Sequence, residues 1–131
     1  MTFTENFNLQ KGVEPESQVL YVVGTPIGNL NDISERSKLI LSKVSIIACE
    51  DTTNTKKLLT LLNIKNKLIS FNEYNSTDKA PYIIKKLEEG LSVALVSDAG
   101  LPSISDPGQY LVNYARNKKF EVVCVPGPCA A

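Results

Sequence analysis

Histidine is absent from the 131-residue sequence. Without imidazole, proton chemistry within the chain falls to carboxylates, tyrosine, lysine or cysteine. Cysteine is scarce: Cys49, Cys124 and Cys129 are odd in number and form no C-x-x-C pair. That indicates neither a disulfide framework nor a zinc site, and it favours reduced thiols in a cytoplasmic protein. Net charge is missing too, since fourteen basic residues balance fourteen acidic ones. This argues against a non-specific polyanion binder while leaving room for a local basic face. No apolar run approaches the roughly 18 residues that a membrane span requires, the best being Val19–Val23 and Val44–Cys49.

Residues 1–17 are polar and carry Glu5, Glu14 and Glu16 against Lys11 alone. They fit neither a secretory signal nor a transit peptide and read as a flexible leader before one domain over 18–131. A hydrophobic fraction of 43% with 21% charge is that of an ordinary globular chain. The stretch from Thr52 to Asn72 holds Lys56, Lys57, Lys65 and Lys67 with no acid among them. It reads as a solvated helix face and turn, or as a nucleic-acid contact.

Five short β-rich runs recur, at Gln18–Val23, Ser45–Cys49, Lys67–Phe71, Leu91–Ser97 and Phe120–Val125. Each is nearly continuously apolar at its centre, as in strands covered on both faces. Between them lie segments with helical spacing. The first has Leu30, Ile33, Ile40, Leu41 and Val44 on one stripe, with Asn31 or Asp32 as N-cap. The second runs from about Thr52 to Leu62. The third aligns Ala80, Ile83, Ile84 and Leu87 behind Ser76 or Thr77, with Pro81 in its first turn and Gly90 as its stop. The fourth starts near Pro107 and ends before Lys118. Four strand–helix–strand repeats predict an α/β fold: a five-stranded, mainly parallel sheet with helices on both faces.

Five of the seven glycines and five of the seven prolines lie beyond strand C-termini, the edge at which open parallel sheets bind ligands. The first such loop, "VGTPIGNLND", lacks both the dinucleotide fingerprint and a P-loop. After the second strand, "ACEDTTNTKKLL" places Glu50 and Asp51 at the exit. Two adjacent carboxylates there suit proton handling, and Asp51 equally suits a helix cap. "SFNEYNST" offers Glu73, Tyr74 and Asn75, or a polar turn capping the next helix. "LVSDAGLPSISDPG" supplies Asp98 as an acceptor and Gly100 for close backbone approach, stiffened by Pro102 and Pro107. Such a loop preorganises polar backbone groups around a small ligand.

"LYVVGTPIGNLNDIS", "EDT", "VALVSDAGLPSISDPG" and "VPGPCA", in this order and spacing, resemble the N-terminal domain of bacterial-type ribosomal small-subunit cytidine 2′-O-methyltransferases in the tetrapyrrole-methylase superfamily. The likeness covers about residues 18–131. "GTPIGNL" looks like the ribosomal RNA branch, whereas porphyrin and corrin methylases usually begin with a "GxGPGDP"-like loop. The resemblance implies S-adenosyl-L-methionine as cofactor, held along Pro26, Asp98, Gly100, Ile104 and Pro128. It sets Glu50 and Asp51 on the substrate side as catalytic candidates and implies no metal. The implied partner is small-subunit ribosomal RNA or the subunit itself, without a membrane; family members often pair, so a homodimer is compatible.

Thr53, Tyr74, Leu101 and Cys129 depart from the family's commoner Arg, His, Thr and Ser. Thr53 removes a bidentate phosphate fork. The family's second domain would follow "VPGP", so the resemblance predicts that this chain is the N-terminal part of a two-domain enzyme. The alternatives are a non-catalytic cofactor- or RNA-binding half and, further off, a porphyrin or corrin methylase.

Overall fold

The apolar runs form strands, and the computed structural model describes residues 13–25, 33–97 and 104–125. The elements alternate as β1 (Val19–Gly24), α1 (Glu35–Lys43), β2 (Ile46–Cys49), α2 (Thr52–Leu61), β3 (Leu68–Ser70), α3 (Ser76–Glu88), β4 (Val93–Ser97), α4 (Gly108–Asn117) and β5 (Glu121–Val125). All pairings are parallel, in the order β3-β2-β4-β1-β5. Four of the predicted runs contain their strands, β1 runs one residue past its own to Gly24, and the α/β architecture follows as expected.

Side chains alternate across the sheet and build two cores. Leu20, Val22, Ile46, Ala48, Val93 and Leu95 face one side, where α3 adds Ile83 and Leu87 and α4 adds Leu111 and Val112. Tyr21, Val23, Ile47, Ala94 and Val96 face the other, where α1 adds Ile40 and Leu41 and α2 adds Leu59. Each fully buried aliphatic side chain contributes roughly 1.5–3 kcal/mol. Two helices per face therefore explain why the middle strands read as unbroken apolar runs rather than alternating ones.

Helix ends differ from expectation in three places. The cap of α1 is Ser34, whose hydroxyl accepts from the Ser37 N–H at 3.0 Å; Leu30, Asn31 and Asp32 lie outside the described residues. Asn75, not Ser76 or Thr77, occupies the cap position of α3, with no side-chain cap bond. Its amide oxygen instead accepts from the Asn72 N–H at 2.8 Å, while the Asn72 side chain accepts from Tyr74 and Asn75 N–H. Pro81 lies in the interior of α3 rather than its first turn. It is exposed, so water can satisfy the carbonyl that a proline leaves unpaired. Gly90 does stop the helix, with φ +90°.

The thiols also differ from the expected reduced state. Cys49 is buried, but Cys124 is disulfide-bonded. An odd count without a C-x-x-C pair argues against a framework; it does not exclude one bridge.

Tyr21 is fully buried, and its hydroxyl oxygen accepts from the Glu16 N–H at 2.8 Å. Burial raises its phenol above the ordinary value of 10.0, against the pull of that hydrogen bond and with the help of nearby glutamate charges. The folded chain keeps this proton where the unfolded chain loses it. The stabilisation is complete below about pH 10 and is lost as pH rises through the folded value. The urea midpoint is expected to fall above about pH 10 and to fall less steeply in Tyr21→Phe; equal slopes in both proteins would assign the alkaline loss to other groups.

Candidate functional site

Sheet order determines where a ligand can sit. From β2 the chain turns outward to β3, whereas from the adjacent β4 it turns the opposite way, past β1 to β5. The first connection runs through α2 on one face and the second through α4 on the other. Neighbouring strands whose exits diverge leave a crevice beyond their carboxyl ends.

The structure has a cleft of about 230 Å³ at that point. Its walls are Glu50 after β2, Phe71 after β3, Leu95, Val96 and Ser97 of β4, and Ile104, Ser105, Pro107 and Gly108 leading into α4. Pairing of Cys49 with Ser70, and of Ala48 with Leu95, brings the strand exits to one level. The Phe71 N–H donates to the Cys49 carbonyl at 2.8 Å, extending the β2–β3 ladder to the rim. The Thr25 N–H and hydroxyl donate to the Ser97 carbonyl at 3.0 and 3.3 Å, fastening β4 to the exit of β1.

Gly108 has a packing reason at the start of α4. A Cβ there would meet Ile104 Cγ2 at 2.9 Å and Leu95 Cδ2 at 3.5 Å, so a larger residue would push Ile104 out of the cleft wall.

Glu50 and Ile104 are thus brought together in one cleft. Glu50 is solvent-exposed and forms no hydrogen bond or ion pair with the described residues. Asp51, one residue on, turns away to cap α2: one oxygen accepts from the Asn54 N–H at 3.1 Å and the other from Asn54 Nδ2 at 2.9 Å. Pro26, Asp98, Gly100 and Pro128 lie outside the described residues. Tyr74 stands on the rim turn, 87% exposed. Phe71, Leu95 and Ser105 were not singled out from sequence as cleft residues; an aromatic just beyond a strand is the one signal that was available.

The lining combines apolar walls with a carboxylate and two serines, which suits a ligand having apolar, cationic and hydrogen-bonding parts. In kind this fits S-adenosylmethionine. The described part of the cleft is smaller than the roughly 300–1,000 Å³ of typical ligand sites, and three loops leading to its rim continue beyond the described residues.

An open parallel sheet with a mixed cleft at its switch point defines a doubly wound α/β ligand-binding domain. The chain belongs to the tetrapyrrole (corrin/porphyrin) methylase family, whose sequence model matches residues 19–131. It is 49% identical over 120 residues to the "Ribosomal RNA small subunit methyltransferase I" of Vibrio cholerae, covering 92% of this chain and 42% of the relative. Relatives of the same name from Thermotoga maritima and Streptococcus pyogenes are each 50% identical. The former covers 85% of this chain and 50% of itself, the latter 87% and 40%. The chain therefore spans half or less of the length of these relatives. Among solved structures, the cobalamin biosynthetic enzyme cobalt precorrin-4 methyltransferase matches with a TM-score of 0.69 at 16% identity, over 86% of this chain and 46% of its own. A uroporphyrin-III-C-methyltransferase from Thermus thermophilus matches at 0.61 and 18% identity, over 85% and 48%. At these identities the two structures speak for the fold alone.

Proposed function

We propose that this chain supplies the cofactor-binding half of an enzyme that uses S-adenosylmethionine to methylate the 2′-hydroxyl of a cytidine ribose in small-subunit ribosomal RNA. The observation that carries the reading is the near-50% identity, across most of this chain, to relatives named for ribosomal RNA methylation. The cleft supports it by offering a carboxylate beside apolar walls at the family's binding edge. The reading places the protein in the cytoplasm, with the small subunit or its RNA as partner and a homodimer as a compatible assembly.

S-adenosylmethionine, when bound, supplies an electrophilic methyl group. Phe71, Leu95 and Ile104 would exclude water from that group's surroundings, and Ser97 and Ser105 would orient it. Pro26, Asp98, Gly100 and Pro128 are assigned to its binding on the strength of their motifs. Glu50 is assigned as the acceptor of the ribose hydroxyl proton, or as the group that orients that hydroxyl, and Asp51 as the second candidate. Alignment in such reactions can supply about 7–11 kcal/mol of barrier lowering, more than a general base does. Positioning by the cleft is therefore the chain's larger contribution.

A second reading is a non-catalytic half that binds cofactor or RNA and turns nothing over. Calorimetry with S-adenosylmethionine and transfer of labelled methyl to small-subunit RNA test both. The expected result is binding heat from this chain alone, no turnover by it, and turnover once it is joined to the C-terminal segment of the Vibrio cholerae relative. Methyl transfer by the joined protein to a porphyrinoid instead of RNA would overturn the proposal.

A further inference from the structure

The positive charge of this neutral chain is segregated. Lys56, Lys57, Lys65 and Lys67 fall within residues 52–72, which contain no acid. Setting those four aside leaves ten basic residues against fourteen acidic ones in the rest of the chain, a deficit of four. All four lysines are exposed. None forms an ion pair among the described residues, whereas Arg36 pairs with Glu14 and Lys38 with Glu35.

The same segment encloses a groove of about 380 Å³ between α2 and the approach to β3. Lys56 and Thr60 stand on one side and Lys65 and Asn66 on the other, over a floor of Leu59, Ile64 and Leu68. The far wall is fixed. Asn66 Nδ2 donates to the Leu41 and Val44 carbonyls at 2.8 and 2.9 Å, and its Oδ1 accepts from the Lys67 N–H at 2.6 Å. Ile64 N–H donates to the Leu59 carbonyl at 2.8 Å. The lysines are therefore presented from an ordered base, which lowers the entropy cost of engaging a partner.

We infer that this groove docks the phosphate backbone of RNA, Lys56 and Lys65 of its walls meeting phosphates together with the exposed Lys57 and Lys67 next to them in the chain, and the apolar floor meeting sugar or base edges. The inference rests on the RNA reading above and adds a surface to it. Its position suits that role: α2 begins two residues after Glu50, and its ten residues run about 15 Å away from the cleft. A strand held along α2 could still deliver one nucleotide to the cleft. Each phosphate that a lysine neutralises releases counterions and makes binding salt-dependent, with a slope of about 0.7 per contact for single strands.

The test uses this chain and a fluorescein-labelled single-stranded RNA, with anisotropy followed across a salt series and circular dichroism confirming the fold of each variant. Replacing Lys56, Lys57, Lys65 and Lys67 together by Gln is expected to weaken binding by at least about tenfold at low salt and to reduce the slope of log Kd against log salt by about 3. Replacing Lys79, Lys85, Lys86 and Lys118 by Gln removes equal charge elsewhere and is expected to leave both within about twofold. Equal losses in the two variants, an unchanged slope in the first, equally good competition by polyglutamate, or no RNA binding by the parent would each overturn the docking surface. Methylation by the joined protein separates this from the functional reading. Turnover on RNA with an unchanged slope in the first variant sinks the surface alone, while a lost slope without any RNA turnover sinks the activity alone.

Discussion

Glu50→Gln, made in this chain joined to the C-terminal segment of the Vibrio cholerae relative, is expected to slow methyl transfer to small-subunit RNA by about 10²–10⁴. The carboxylate lines the cleft from the exit of β2 and is engaged by no other described residue, so nothing within the described chain competes for it. Gln keeps the size and the ability to accept a hydrogen bond but cannot take a proton. A base role predicts a loss across that range, whereas a merely orienting role predicts a smaller one, because Gln can still hydrogen-bond the hydroxyl. The thermal midpoint should not move, because an exposed carboxylate with no partner among the described residues contributes little to folding. Asp51→Asn is the paired control. Asn caps helices as well as Asp does, so if Asp51 only caps α2, the rate should change less than about tenfold. Parental rates in Glu50→Gln would remove Glu50 from the reaction.

The two acids show how far the sequence could be read. Within "EDT" both are acidic and both stand at a strand exit, and only the helix-cap alternative for Asp51 separates them. A single residue step divides them: Glu50 ends on the cleft wall, and Asp51 faces the N-terminus of α2. The strands were legible because burial on both faces leaves an unbroken apolar trace that no loop shares. Their order was not, since β1 pairs with β4 and β5 rather than with β2, and such long-range choices leave no local mark. The cleft depends on that order, which is why Phe71 and Leu95 read from sequence only as apolar strand residues. Helix starts were blurred where several caps compete. Ser34 lies within three residues of Asn31 and Asp32, and Asn75 is already committed to its reciprocal turn with Asn72. Asn66 gave no signal at all, although it ties the approach to β3 onto the end of α1.

Phe71→Ala is expected to produce the largest loss of stability among these substitutions. Phe71 is 1% exposed and belongs to the core shared by α3 and α4, while also lining the cleft. Truncating a buried Phe costs about 3–5 kcal/mol, a large part of the roughly 5–15 kcal/mol that holds a domain together. The cavity so formed opens toward the cleft, where the Glu50 carboxylate and two serines can share entering water. Partial filling of that kind places the loss near the lower end, about 3 kcal/mol. Urea unfolding followed by far-ultraviolet circular dichroism measures it directly, and a loss below about 1 kcal/mol would show that Phe71 is not a core residue. Phe71→Leu separates the two roles of the side chain. It keeps most of the buried volume and should cost less than about 1.5 kcal/mol, yet it removes the aromatic face from the cleft wall. Weaker heat on titration with S-adenosylmethionine in this near-stable variant would then come from the cleft itself and not from a loosened core.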